Sequence, residues 1–389
     1  MVTLETADKA LKEVYLGIVA DQLNVTVNPF LAKIKQSTND VVGKDIIKLV
    51  PYGINGGIGA GTETGDLPAA AQNNYDRFKL ELKNLYGTIE LSDKAIRASQ
   101  SSASAFVNLL NAEMDGLLKA SKFNLGRMLY GDGSGILSKC VSSKSSGKVI
   151  GLVSVKNVME GMVVDVYNGA TDKVYNGLAG VRIVSVDRVN KTITINVTPS
   201  VTIANVDYIT VQGSKNNELT GLKAIFSDKD LYGLSREGRS WLSPKHVQHV
   251  GDISCSKIQE VIDYIDEIAG STVDMILCSY DVRRYYLEHL ALNRTNVDYM
   301  NLDGGFRAIS YNGIPVVADR FVDDGEMYLL NTGDFKLHQL CDWRWLEGDG
   351  GKVIKQKAGT ATYTATLVKY ADMLCDKPIG QAKLSGITG

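Results

Sequence analysis

The sequence predicts an α+β fold, because helical and strand-like segments alternate along it without a regular βαβ repeat. A long amphipathic helix is expected from Ala103 to Tyr130, where apolar residues recur every three or four positions. From Val141 to Lys215, short β-type runs are separated by Asn, Gly, Asp and Pro turns, which indicates a small β-barrel or sandwich inserted into a larger domain. With 389 residues and 44% hydrophobic content, the chain can bury a sizeable core.

Composition limits the function classes. The 42 basic and 44 acidic residues nearly cancel, so the chain has no overall positive field that would attract nucleic acid or an anionic membrane. Its five cysteines are odd in number and contain no C-x-x-C pair, which favours reduced thiols in a cytosolic compartment over a zinc ribbon or a disulfide scaffold. No apolar run reaches the ~18 residues of a spanning helix.

The segment from Tyr75 to Leu91 is predicted to be a strand. Phe78, Leu80 and Leu82 alternate with charged residues and so share one face, as in a half-buried strand. After Asn84 the apolar positions shift by one residue, which predicts a β-bulge there.

The pairing partner is predicted at Asp45 to Ile54, and a glycine-rich tip from Ile54 to Gly65 joins the two strands. Leu67 and Pro68 follow this tip. Because so little apolar sequence lies near the projection, we expect it to be stabilised by another molecule. The alternative is a mobile surface loop without a partner.

Further elements complete the α+β pattern. Leu11, Val14 and Ile18 lie on one face of a short amphipathic helix that ends before Asn28-Pro29. Later in the chain, helices and strands are predicted at Ser254–Ala269, Val273–Cys278, Asp281–Leu292, Ile314–Ala318, Glu326–Asn331 and Gly359–Leu374.

No motif supports catalysis or cofactor binding. The glycines from Gly56 to Gly61 lack the G-x-G-x-x-G spacing of a dinucleotide site, and the H-x-x-H of His246 and His249 lacks both i,i+4 spacing and a nearby third ligand. Trp343 and Trp345 could form a stacking platform, but alternate residues of a strand more often fill a core. We therefore predict no enzyme activity, no metal and no cofactor.

Taken together, the order of these parts resembles the major capsid protein of tailed bacteriophages, whose shell fold is shared with encapsulins and the floor of herpesvirus capsids. That family has an N-terminal arm, an extended β-ribbon loop, a long spine helix, and peripheral and axial domains. The local stretches that carry the resemblance, besides that order, are Leu67-Pro68, Ile89-Glu90-Leu91-Ser92, Tyr311-Asn312-Gly313-Ile314-Pro315-Val316-Val317 and Lys369-Tyr370-Ala371-Asp372-Met373-Leu374.

The resemblance implies a division of the chain into six parts. These are an N-terminal arm (1–43), an extended loop (44–91), the spine helix and peripheral domain (92–140), a β-rich insertion domain (141–215), an axial domain with peripheral-domain connections (216–358), and a C-terminal peripheral strand and tail (359–389). The insertion domain is an addition that only some relatives carry.

The function implied is that of a major capsid protein, which self-assembles into pentamers and hexamers of an icosahedral shell around phage double-stranded DNA. The subunit contacts expected on this basis are Leu67, Pro68, Phe78, Leu80 and Leu82 in the extended loop, and Leu11, Val14, Ile18 and Phe30 in the arm. The alternatives are an encapsulin-type compartment that encloses a cargo enzyme, another phage structural protein of the tail or baseplate, and an enzyme with an unrecognised site.

The implied partners are further copies of the chain, a separate scaffolding protein, a portal and a decoration protein. A separate scaffold is expected because no long charged segment precedes the arm. Packaged DNA would be enclosed without sequence-specific contact, and no membrane is involved. The implied location is the virion capsid, assembled in the bacterial host cytoplasm.

Overall fold

A computed structural model describes residues 11–16, 22–24, 28–94, 96, 103–292, 299–301, 307–348 and 351–389. Their buried apolar side chains form three clusters. The largest joins the spine helix to the sheet built around the long strand Thr362–Cys375, the second lies between a mixed parallel and antiparallel sheet and two helices, and the third fills the β-rich insertion.

The described residues contain five α-helices, which are α1 (Pro29–Lys33), α2 (Ala103–Tyr130), α3 (Leu222–Ile225), α4 (Cys255–Ala269) and α5 (Tyr280–Leu292). The strands are β1 (Lys35–Ser37), β2 (Val41–Val42), β3 (Asp45–Tyr52), β4 (Asn74–Glu81), β5 (Lys83–Ser92), β6 (Ile136–Ser146), β7 (Val149–Leu152), β8 (Val163–Asn168), β9 (Lys173–Val174), β10 (Val181–Asp187), β11 (Thr192–Ile195), β12 (Tyr208–Val211), β13 (Lys245–Val247), β14 (Gly251–Asp252), β15 (Met275–Cys278), β16 (Tyr299–Asn301), β17 (Arg307–Tyr311), β18 (Ile314–Ala318), β19 (Met327–Leu330), β20 (Phe335–Trp345), β21 (Lys355–Gln356), β22 (Thr362–Cys375), β23 (Ala382–Leu384) and β24 (Ile387–Thr388).

The spine helix α2 has the bounds that its apolar spacing predicted. Its 28 residues correspond to about 42 Å at 1.5 Å per residue. Leu110, Met114 and Leu125 are buried on the predicted stripe. The helix crosses β5 closely at Gly87, where a Cβ atom would lie 2.8 Å from Leu117 Cδ1. A side chain at this position would push the helix away from the sheet.

The body sheet under this helix is organised around β22, its longest strand. On one edge β22 pairs antiparallel with β5, and on the other it pairs with β20 and β21. The short strand β1 adds to β20 in parallel. Trp343 and Trp345 on β20 are both buried, which confirms that they belong to a core.

The insertion forms a closed β-structure. Its strands follow the order β10-β11-β7-β6-β12-β8-β9, and a further pairing of β8 with β10 closes the sheet, with the two-residue strand β9 added beside β8. The closed sheet surrounds a separate apolar core. The first strand begins at Ile136, five positions before the predicted start at Val141, because the turn after α2 leads directly into it.

A third large sheet has the order β13-β23-β19-β15-β18-β17-β16 and packs against α4 and α5. Helix α4 is capped by the Ser254 side chain, which accepts a hydrogen bond from the Lys257 backbone N–H. A tight turn at Asn312-Gly313 joins β17 to β18, and both residues have positive φ (49° and 83°). The mixture of helices and sheets confirms the predicted α+β class.

Candidate functional site

The projecting ribbon is the hairpin of β3 and β4. The two segments pair as predicted, in a register that runs from Asp45 opposite Glu81 to Tyr52 opposite Asn74. Residues directly opposite each other on antiparallel strands point to the same face of the pair. The ribbon therefore has an inner face and an outer face, and the two have different surroundings.

The inner face is covered by the protein's own residues 231–242, which we call the bracket. Phe78 is fully buried between two bracket aromatics, with ring centroids 5.0 Å from Tyr232 and 6.0 Å from Trp241. Tyr52 stacks on Trp241 at 5.1 Å with nearly parallel rings. Ile46 on the opposite strand is also fully buried. This part of the hairpin, the ribbon root, belongs to the main core.

Polar contacts also hold the ribbon root against the rest of the subunit. The Lys79 backbone N–H donates to the Tyr232 carbonyl at 2.9 Å. Arg239 Nε lies 3.0 Å from Asp76 Oδ2, and Lys48 Nζ lies 2.7 Å from each carboxylate oxygen of Asp376. These contacts fix the direction in which the ribbon leaves the body.

The outer face of the ribbon is open to solvent. It carries Leu49 and Tyr75, which are 65% and 57% exposed, together with the exposed side chains of Arg77 and Lys79. Large apolar groups beside cations form a surface of the kind found at protein interfaces.

The ribbon tip, residues 53–73, contains no strand in the structure. Its largest apolar side chains, Ile54, Ile58 and Leu67, are between 76% and 89% exposed. Pro68 is exposed as well. Backbone and side chains of the tip therefore face solvent in the single chain.

Two of the residues predicted to contact a neighbouring subunit have a different environment. Phe78 and Leu82 are buried within their own chain, and Leu80 is partly buried against the same core. Alternation shows which face of a strand is apolar, but it does not show which surface covers that face. The expectation that the ribbon lacks apolar support in its own chain is therefore wrong for the root.

The predicted bulge after Asn84 is also wrong, and the apolar shift has another cause. At Leu82 the chain leaves β3, and from Lys83 it pairs with β22 in the body sheet. The inward-facing positions change because the strand changes sheets.

In the arm, Leu11 and Phe30 are fully buried in their own chain. The Phe30 ring lies 5.3 Å from that of Phe335 and 6.3 Å from that of Tyr130. Both side chains therefore pack within their own chain, and their contact with a neighbouring subunit stays a prediction. The Val14 side chain and Ile18 lie outside the described residues.

A buried cation was missed by the sequence analysis. Lys369 on β22 has no exposed surface, and its Nζ donates to Asn24 Oδ1, Gln36 Oε1 and Asp342 Oδ1 at 2.9 to 3.0 Å. Burial lowers the pKa of Lys369, while Asp342 opposes that shift. The available sequence signal was a lysine inside the long apolar-rich strand Gly359–Leu374.

Among the described residues, no group of three or more His, Cys, Asp or Glu side chains could hold a metal ion. Within the same ranges, no helix is both long and apolar enough to cross a membrane. His246 lies on β13, where its Nε2 is 2.9 Å from Ser385 Oγ.

No protein-family model and no curated protein matches the sequence. The structure, in contrast, is similar to the capsid asymmetric unit of cyanophage A-1(L), with a TM-score of 0.55 at 12% identity over 95% of this chain and 93% of that one. The chain has the tailed-phage capsid shell fold. Along the chain, the ribbon hairpin of β3 and β4 precedes the spine helix α2, and the body-sheet strands β20 and β22 follow it.

Two further capsid and compartment structures align with the shell fold at lower scores. The capsid of a native GTA particle aligns at a TM-score of 0.48, with 12% identity over 92% of this chain and 90% of that one. The SrpI encapsulin complex of Synechococcus elongatus PCC 7942 gives 0.47, with 10% identity over 93% and 89%.

Proposed function

We propose that this protein is a capsid shell subunit that self-assembles through the outer face and tip of its ribbon. The observation that carries the proposal is an exposed apolar tip on a ribbon whose root is fixed to a capsid-type body. An apolar group as exposed as Leu67 gains about 25 cal/mol per Å² when a neighbour covers it.

The structure supports a revised set of contact residues. Leu67 and Pro68 keep their proposed role, because their surface is available to another subunit. Leu49 and Tyr75 on the outer face join them. Phe78 and Leu82 instead hold the ribbon at the angle from which such contacts can form.

Head-to-tail contacts of this kind close into rings when the rotation between subunits permits, and otherwise grow into open assemblies. We propose that the rings are pentamers and hexamers and that they build an icosahedral shell around phage double-stranded DNA. In this proposal the subunit has no enzymatic activity, and it assembles in the host cytoplasm with a separate scaffolding protein, a portal and a decoration protein.

Leu67→Asp tests the proposal directly. Since Leu67 is 89% exposed, the variant should fold as stably as the wild type but fail to form particles, because a charge would then have to be buried between subunits. Val189→Asp is the matched control, since Val189 is 90% exposed and belongs to the insertion and not to the ribbon. Negative-stain microscopy and gel filtration report the outcome.

We expect shells, tubes or rings from the wild type and from the control, and single subunits from Leu67→Asp. The proposal fails if the wild type remains monomeric at all concentrations with its scaffold genes co-expressed, or if Leu67→Asp assembles normally. The contents of purified particles separate the alternatives, since packaged DNA supports a capsid and an enclosed enzyme supports an encapsulin-type compartment.

A further inference from the structure

Lys369 lies in the body sheet with its side chain removed from solvent. A buried lysine needs partners for its three N–H donors, because an unpaired ammonium in a site without water is strongly unfavourable. Its three acceptors come from three separate parts of the chain, namely Asn24 from the arm, Gln36 from β1 and Asp342 from β20. The ammonium also lies 5.6 Å from the centre of the Trp343 ring.

Asn24 is connected to this site twice. Its carbonyl oxygen accepts from Lys369 Nζ at 3.0 Å, and its amide nitrogen donates to both carboxylate oxygens of Asp342 at 2.9 and 3.1 Å. One arm side chain therefore satisfies a buried cation and its counter-ion at the same time. Leu23 beside it is fully buried, so the backbone at this point lies close against the body.

The described residues of the arm are held by apolar and polar contacts together. Phe30 is packed among aromatic rings of the core, and Leu11 and Leu23 are fully buried in the same core. Trp345 Nε1 donates to the Leu11 carbonyl at 2.9 Å, and Tyr15 bonds to Asn111. The hydrogen bonds between Asn24 and Asp342 are exposed, and exposed polar contacts exchange readily for contacts with water, which favours local opening at residues 22–24.

We propose that Lys369 and Asp342 form a latch for residues 22–24 of the arm. With the arm docked, the ammonium has three acceptors and is sealed from solvent. When residues 22–24 leave, Nζ loses one acceptor and becomes open to water and reagents. The latch makes the arm a two-state element within a single subunit, independent of whether the protein forms shells.

Amine acylation measures the latch on the intact, unassembled chain. Acetylation with an N-hydroxysuccinimide ester, followed by peptide mass spectrometry, gives a rate for each lysine. Lys44 serves as an internal reference because its side chain is 81% exposed. We expect Lys369 to react at least about a hundredfold more slowly than Lys44, because reaction requires local opening.

Asn24→Ala should raise the Lys369 rate about tenfold, as expected for loss of one hydrogen bond to a charged group. Asn55→Ala is the control, since it removes an amide of the same kind at the ribbon tip, where Asn55 bonds to Asn73. The latch is refuted if Lys369 reacts as fast as Lys44 in the wild type, or if the two alanine variants give the same Lys369 rate.

The urea dependence of the Lys369 acylation rate in the wild type provides a second test, which does not depend on whether the Asn24→Ala variant folds. A local opening exposes little surface, so the Lys369 rate should be nearly independent of low urea concentrations. If the rate instead rises with urea as steeply as global unfolding does, Lys369 is exposed only when the whole chain unfolds. That result would overturn the latch proposal even if the protein forms particles. Conversely, a chain that shows the latch but forms no particles would contradict the proposed function and leave the latch proposal standing.

Discussion

The root and the tip of the ribbon belong to one hairpin, yet they face opposite environments. At the root, Phe78 has no exposed surface and is held by the bracket residues Tyr232 and Trp241. At the tip, Leu67 is 89% exposed and the backbone forms no strand. The root is thus part of the folded subunit, while the tip has apolar surface without a partner in its own chain.

Because of this difference, substitutions at the root and at the tip should affect different properties, namely the stability of one subunit and the contacts between subunits. A substitution at the root removes contacts within one chain and should lower the free energy of unfolding. A substitution at the tip removes no such contact, so its effect should be confined to contacts between chains. The following predictions rank substitutions by their expected effect on the stability of the unassembled subunit.

The largest expected effect is at Phe78. Phe78→Ala should lower the free energy of unfolding by about 3–5 kcal/mol, because it removes a fully buried ring and leaves a cavity. Urea denaturation of the unassembled subunit measures the change. Tyr75→Ala on the outer face of the same strand is the control and should stay within about 0.5 kcal/mol of the wild type. Equal losses of unfolding free energy for Phe78→Ala and Tyr75→Ala would mean that the ribbon root does not pack against the bracket.

The pH dependence of unfolding tests the body sheet, from which the ribbon root projects. Asp372 is fully buried on β22, next to the position where Ala371 pairs with Lys83. It accepts hydrogen bonds from the Thr220 N–H at 2.7 Å and the Thr220 hydroxyl at 3.0 Å, and burial raises its pKa to about 7.

Because this pKa is raised on folding, the native state retains a proton between pH 4 and 7 that the unfolded chain has released. The stabilisation from this group is complete below pH 4 and decreases as the pH rises through about 7, by up to about 1.4 kcal/mol per pH unit. Asp372→Asn should abolish this contribution. Identical pH profiles for the two proteins, measured by urea denaturation, would show that Asp372 titrates normally.

A smaller effect is expected from the ion pair at the edge of the root. Arg239→Gln removes the contact with Asp76, and since both side chains are partly exposed the loss should be below about 1 kcal/mol. The loss should shrink further at high salt, where the charges are screened. A salt-independent loss of several kcal/mol would indicate that Arg239 acts through packing.

The smallest effect is expected at the tip. The double substitution Ile54→Ser and Ile58→Ser should change the free energy of unfolding by less than about 0.5 kcal/mol, because both side chains are more than three-quarters exposed. Particle yield, measured by sedimentation, should fall. A clear loss of subunit stability would show that the tip packs on its own body in solution.

Much of this architecture could be predicted from local patterns. The apolar spacing of Ala103–Tyr130 defined the spine helix to the residue, and the alternation around Phe78 identified its strand and hairpin partner. The apolar run Ile314–Ala318 was likewise predicted as a strand, and the structure has the same bounds for β18. These features follow from backbone geometry within a short window of sequence, so a single chain contains enough information to predict them.

Contacts between distant segments could not be predicted in this way. Nothing near Phe78 in the sequence indicates that Trp241, more than 160 positions later, covers it. Lys369 gave only a weak signal, because its three acceptors lie at positions 24, 36 and 342 and converge only in the folded chain.

The sequence by itself therefore determined the spine helix, the ribbon strands and several later helices and strands, together with the apolar face of the most regular ones. Only the tertiary structure decided which surfaces those faces meet, and hence that the ribbon root is internal while the tip is free. The physical reason is that periodicity reports the geometry of one element, whereas burial depends on which segments the whole chain brings together.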